Sequence, residues 1–190
     1  MTGKTVGFAL CGSFCTMEKA LTEMERLKQS GANIIPIMSP IVFDADTRFG
    51  IAEERRQRVE ALTGNHILHT VEQAEPIGPK SLLDLLIIAP CTGNTIGKLA
   101  QGITDTAVTM AAKAHLRNNR PVLIAMATND ALSGSAQNIG RLLNTKNIFF
   151  VPFGQDDPIK KSTSMICDFE KLLEAAKEAL AGKQLQPLLL

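Results

Sequence analysis

Five short runs of the chain are almost wholly apolar: Thr5 to Leu10, Asn33 to Met38, Leu83 to Ala89, Val122 to Ala127 and Ile148 to Val151. Such runs predict strands buried on both faces, and the longer segments between them repeat their apolar residues at helical spacing. Helices are expected over about Thr16 to Gln29, ending at Gly31, and over about Ile51 to Leu62, ending at Gly64. A short helix is expected over Ile96 to Gln101, and a longer one capped by Thr104 or Asp105 and running to about Arg117. A last one spans about Ser164 to Ala181, with Ile166, Phe169, Leu172, Leu173, Ala176 and Leu180 on one face. Right-handed crossovers between parallel strands make this an α/β chain: a three-layer, Rossmann-like or flavodoxin-like sandwich around a central parallel sheet.

Composition narrows the picture. At 190 residues the chain fits a single domain, residues 1–190, long enough to bury about 70% of its unfolded surface. Twenty basic and 19 acidic residues leave a formal charge of +1, without the broad positive footprint that nucleic acid requires. The arginines at 55, 56 and 58 are interspersed with Glu53, Glu54 and Glu60, as on a solvated helix face. The first apolar run is too short for secretion or for spanning, so no membrane association and a cytoplasmic location are expected. Cys11, Cys15, Cys91 and Cys167 show no zinc spacing and no C-x-x-C pair; no metal site is expected and the thiols read as reduced. Trp and Tyr are absent, which removes Tyr as a general acid and excludes a flavin held between Trp and Tyr rings.

Candidate chemistry lies at strand ends. Gly12 and Ser13 follow the first strand, where a glycine lets the backbone approach a phosphate and a serine adds a donor; a serine helix cap is the simpler alternative. Ser39 follows the second strand, in a Ser-Pro pair that also starts turns. After the third strand, Thr92, Gly93, Asn94 and Thr95 offer hydroxyls, an amide and exposed N–H groups ahead of a helix. That arrangement suits a phosphate or a flat hydrogen-bonding ring, and it is equally an ordinary capped βα turn. No G-x-G-x-x-G follows any strand, so a single phosphate is a better match than a dinucleotide. Cys91 at this helix start is either an activated thiol or a small packing residue. His66 and His69 stand in the irregular segment Asn65 to Lys80, and His115 in a helix. Another irregular segment, Met38 to Gly50, also sits at a strand end, and the leucine-rich tail from Gln184 is expected to dock on a neighbouring surface.

The stretch Pro90 to Asp105, P-C-T-G-N-T-I-G-K-L-A-Q-G-I-T-D, resembles the P-A-[ST]-A-N-T-[IL]-x-K-[IL]-A-x-G-[IL]-x-D signature of a flavin-binding family. That family includes cysteine-peptide decarboxylases, phosphopantothenoylcysteine decarboxylases and flavin prenyltransferases. Pro90, Asn94, Thr95, Lys98, Ala100, Gly102 and Asp105 match, whereas Cys91 and Gly93 stand where the family usually has Ala. The C-G-S-F-C turn is similar to the family's first phosphate-contacting turn, and the likeness runs from about Lys4 to Ala181.

The resemblance implies FMN, with Gly12, Ser13, Ser39, Thr92, Gly93, Asn94, Thr95, Asp105 and Asn129 as cofactor-side residues. It implies His69 as a catalytic candidate and a trimer-based homo-oligomer. The A-T-N-D segment at Asn129 lacks the proline and methionine of the decarboxylases' P-x-M-N element, and the prenyltransferases use a tyrosine that this chain lacks. The run from His69 to Lys80 is most similar to a branch from spore-forming bacteria that oxidises a small dicarboxylate together with a separate, nicotinamide-binding protein, its A subunit. For this chain the branch implies an NAD(P) cofactor carried by that partner and a place in the mother cell. A flavin-dependent decarboxylase and a non-catalytic partner protein remain the alternatives.

Overall fold

The structure, a computed structural model, describes residues 1–190. Seven strands form one mixed sheet: β1 Thr5–Leu10, β2 Asn33–Met38, β3 Leu85–Cys91, β4 Val122–Thr128, β5 Ile148–Phe150, β6 Phe153–Asp157 and β7 Lys161–Cys167. The order is β2-β1-β3-β4-β7-β6, with β5 paired to the first half of β4. Strands β1 to β5 are parallel, and β7 runs antiparallel to both β4 and β6. The eight α-helices are α1 Met17–Gln29, α2 Pro40–Asp44, α3 Ala52–Thr63, α4 Val71–Ala74, α5 Gly93–Gln101, α6 Ala107–Leu116, α7 Ala136–Leu143 and α8 Leu172–Leu180. Helices α1, α3 and α8 cover one face, and α4 to α7 the other. The expected three-layer sandwich is what forms.

Local chemistry fixes the boundaries. Strand β3 begins at Leu85, later than expected, because Asp84 is engaged with Thr5: the Thr5 N–H donates to its carboxylate at 2.9 Å and its own N–H donates to the Thr5 carbonyl at 2.7 Å. Every residue of β3 is buried, as a strand covered on both faces requires. Helix α5 starts three residues before Ile96, since the Thr92 hydroxyl accepts the Thr95 N–H and makes Thr92 the N-cap. Helix α6 is capped by Thr106 instead of Thr104 or Asp105, through reciprocal contacts with Thr109. Gly31 and Gly64 both adopt positive φ, at 89° and 73°, and terminate their helices as expected.

The carboxyl-terminal third corrects the expected helix over Ser164 to Ala181. Residues Ser164 to Cys167 belong to β7, where Met165 and Ile166 pair with Thr128 and Ala127, and the α-helix starts only at Leu172. A 3₁₀ turn, Phe169–Lys171, capped by Asp168, lies between them. Helical spacing of the apolar residues carries no information about pairing partners, and the end of β4 supplies one. The tail docks on the neighbouring edge of β6, where the Phe153 N–H donates to the Leu188 carbonyl and the Leu190 N–H to the Phe153 carbonyl, both at 3.0 Å. It thereby covers an otherwise open sheet edge. No helix is long and apolar enough to cross a membrane.

Candidate functional site

A cavity of about 800 Å³ opens at the carboxyl ends of β1, β3 and β4, where open α/β sheets bind ligands. Its parallel side carries Gly12, Ser13, Thr92, Gly93 and Asn94, and its other side Asn129, Asp130, Asp156 and Lys161. Six of the residues expected at the cofactor therefore meet in one cavity: Gly12, Ser13, Thr92, Gly93, Asn94 and Asn129.

The parallel side is rich in unpaired donors. The N–H groups of Gly12, Gly93 and Asn94 have no acceptor within the chain, and those of Gly93 and Asn94 belong to the first turn of α5, where the helix dipole favours an anion. The Ser13 hydroxyl is fixed by a hydrogen bond from Thr16 at 2.9 Å. Ser39 is not part of the cavity lining, yet its buried hydroxyl lacks a partner. A buried orphan of this kind marks a place where an acceptor is missing. This donor set fits a phosphate ester, and so fits FMN.

Other expected residues lie elsewhere. Thr95 is buried behind the cavity, its hydroxyl donating to Cys11 Sγ at 3.3 Å. Asp105 faces Lys98, whose ammonium donates to both carboxylate oxygens at 2.8 Å and holds the carboxyl below its ordinary pKa. His69 stacks on Phe43 with ring centroids 3.7 Å apart, outside the cavity, and its N–H donates to Gln73 Oε1. His115 is fully buried with Nε2 on the Pro121 carbonyl at 3.0 Å; burial lowers its pKa to about 4, so it is neutral and structural. Cys91 is fully buried, and burial pushes its thiol well above the ordinary value. Of its two readings, the packing residue is the one the structure supports.

Asp130 was not singled out by any pattern in the sequence. Its carboxylate accepts from Thr128 Oγ1 at 2.6 Å and from Ser135 Oγ at 3.0 Å, which fixes it at the cavity wall. The clue was Gly93. A methyl group there would stand 2.6 Å from Thr128 Oγ1, 2.7 Å from Asp130 Oδ1 and 2.8 Å from Ser135 Oγ. The glycine at position 93 therefore leaves the room that the polar A-T-N-D-A-L-S-G-S segment needs for its Thr128, Asp130 and Ser135 oxygens. Arg48 and Phe49 also line the cavity and were likewise missed, because turn residues carry no periodic signal.

Comparison with known proteins identifies the family and the fold. The Flavoprotein family model matches residues 1–179. The B subunit of dipicolinate synthase from Bacillus subtilis (strain 168) is 47% identical over 189 residues, covering 100% of this chain and 94% of that protein. The crystal structure of the dipicolinate synthase B subunit from Bacillus halodurans superposes with a TM-score of 0.92 at 46% identity, over 100% of this chain and 97% of the other. A dodecameric FMN-dependent UbiX-like decarboxylase from Escherichia coli O157:H7 shares the fold at 19% identity and TM-score 0.59, over 78% of this chain and 79% of its own. The chain belongs to the Flavoprotein family, and its likeness within that family is to dipicolinate synthase B subunits.

Proposed function

We propose that the chain acts as the B subunit of a dipicolinate synthase, which with a nicotinamide-binding A subunit oxidises dihydrodipicolinate to dipicolinate during sporulation. The observation that carries this reading is the likeness to dipicolinate synthase B subunits across the full length of the chain. Its absence of a dinucleotide fingerprint supports a partner that brings NAD(P).

In this reading FMN is held by Gly12 and Ser13 at its phosphate and by Thr92, Gly93, Asn94 and Asn129 nearer its ring, with Ser39 behind the cavity outside its direct reach. When bound, FMN supplies a two-electron acceptor or donor. The chain's own residues bind and orient. The N–H groups of Gly93 and Asn94 and the Asn94 amide offer neutral donors to the acceptor edge of the flavin ring. Making the pyridine ring removes a hydride and a proton; the partner's nicotinamide would supply the final hydride acceptor, and the Asp130 carboxylate, held by Thr128 and Ser135 at the cavity wall, would accept the proton. A family neighbour that is a dodecamer supports a homo-oligomer built from this chain.

Reconstitution tests the assignment. The purified chain alone should not form dipicolinate with a nicotinamide, and adding the nicotinamide-binding partner should restore turnover. Equal rates from that partner alone would leave this chain without a catalytic part, and carbon dioxide release from a cysteine peptide would make it a decarboxylase. An absorption spectrum from the near-ultraviolet to the blue reports bound flavin. Replacing Ser13 and Asn94 together should abolish that binding, and unchanged flavin affinity would remove those residues from the site.

A further inference from the structure

The segment between β2 and α3 holds a small turn that is built more firmly than a passive connection needs. The N–H of Thr47 donates to the Gly50 carbonyl and the N–H of Gly50 to the Thr47 carbonyl, both at 3.1 Å, and the Phe49 N–H donates to Thr47 Oγ1 at 3.1 Å. Gly50 closes the turn at φ 133°, a conformation that other residues rarely adopt. Asp46 accepts the Ala52 N–H at 2.7 Å, and the guanidinium of the buried Arg55 reaches the Val42 carbonyl at 2.6 Å and the Gly50 carbonyl at 3.3 Å. These contacts hold Arg48 and Phe49 at the tip.

Both tip side chains line the cavity. Phe49 is 51% exposed, and the Arg48 guanidinium lies 4.8 Å from its ring centroid. The cavity's other cation, Lys161, is paired with Asp156 at 2.7 Å, whereas Arg48 has no acidic partner. A single exposed phenylalanine means little alone. A guanidinium stacked over one face of an aromatic ring, on a braced turn at a cavity whose far wall carries neutral N–H donors, leaves a cation and the ring's other face to match a flat ring that bears a carboxylate.

We infer that the Thr47–Gly50 turn is the recognition element for such a ring, with Arg48 pairing the carboxylate and Phe49 covering the ring face. The identity of that ring as a pyridine dicarboxylate rests on the proposed function. The turn would set specificity without taking part in the chemistry.

The test measures binding of pyridine-2,6-dicarboxylate and of its neutral diamide by calorimetry, to the full chain in complex with its nicotinamide-binding partner. Arg48→Ala should weaken dicarboxylate binding roughly 10- to 100-fold, the loss expected for a charge-assisted hydrogen bond, and should leave diamide binding unchanged. Arg48→Lys should recover part of the loss, and Phe49→Ala should weaken both ligands. Steady-state assays of the complex should show the Arg48→Ala loss in KM with kcat kept. Thermal midpoints and light scattering report whether the variants keep their fold and assembly. Unchanged dicarboxylate affinity in a folded Arg48→Ala protein, when the unaltered complex binds it, overturns the role of the turn and spares the proposed function. An unaltered complex that binds no dicarboxylate overturns both. A change of oligomeric mass in Arg48→Ala and Phe49→Ala that accounts for the loss makes the turn a contact between protomers and overturns the inference.

Discussion

On the parallel side of the cavity, Gly12 and Thr92 to Asn94 stand at the ends of β1 and β3, strands buried almost throughout. On the other side, Asp156 and Lys161 belong to the β6–β7 hairpin, whose outer residues face water and whose tip residue Ile159 is 92% exposed. The first side offers neutral N–H groups, and the second offers charges. Donors at buried strand ends are held in place by the core itself, and they are the part the chain shares with its family motif. The hairpin buries Phe153, Ser164 and Cys167 on its inner side and carries the tail on its edge, whereas its outer side chains, Asp156 and Lys161 among them, face water and can vary with little cost to the fold.

The largest expected contrast is in stability. Phe8 in β1 is fully buried, and Phe8→Ala should lose about 3–5 kcal/mol through lost contacts and a residual cavity. Ile159→Ser at the hairpin tip should stay within about 0.5 kcal/mol of the parent, because it removes no packing. Denaturant unfolding of the two variants checks this, and similar losses in both would show that the hairpin is part of the cooperative core.

A second contrast appears in acid. His115 lies in the buried core at the amino end of β4, away from the cavity, with its pKa lowered to about 4 by burial, below the 6.5 of an exposed imidazole. Between these values the unfolded chain holds a proton that the folded chain does not. Its contribution is complete above about pH 6.5, falls by about 1.4 kcal/mol per pH unit as the pH drops towards 4, and is level below that. His115→Gln, which keeps a donor for the Pro121 carbonyl, should flatten that slope in unfolding measured across pH, and an unchanged slope would assign the acid limb to other groups.

Where the sequence was legible follows the same division. Strands β1 and β2 lie where continuous apolar runs put them, since burial on both faces leaves a composition that few other structures produce. Gly12, Ser13 and Thr92 to Asn94 were legible because a strand end, a glycine and a helix cap occur together in sequence. Strands β6 and β7 were not: Gly154 to Asp157 is polar, and Ile166 and Phe169 have helical spacing although the chain between them changes from strand to turn. Ser39 and Asp105 each matched a pattern, yet one is buried outside the lining and the other is bound to Lys98. Asp130 shows the deeper reason, since its importance depends on distances to Gly93 and Ser135 that no local pattern encodes.

Gly93 joins the two sides, and substitution there sharpens the comparison. Gly93→Ala sets a methyl group against three oxygens and should cost about 1–3 kcal/mol, as overpacking does. Combining it with Asp130→Gly removes one of the three and should return part of the loss. The coupling between the two changes, measured by unfolding of both single variants and the double, should be about 0.5–3 kcal/mol. Additive losses would mean that the Asp130 cluster moves aside freely, and the close packing of position 93 against Asp130 would not limit it.

The smallest effect is expected on the hairpin itself. Lys161 and Asp156 are both in solvent, and their hydrogen bond raises the lysine pKa. A raised folded pKa gives a contribution that is fully present below the lysine's ordinary value of 10.5 and lost only as the pH rises through the higher folded value. Between about pH 6 and 9 the pair therefore adds no pH dependence, and exposed pairs of this kind are offset by side-chain entropy and screened by salt. Lys161→Met should leave the thermal midpoint unchanged across that range at moderate ionic strength. It also leaves Asp156 unpaired at the cavity mouth, so anionic ligands should bind somewhat more weakly, and added salt should reduce the difference. A clear fall in the midpoint would show that the hairpin is held by its charges, and the division between a core-held and a loosely held side would have to be redrawn.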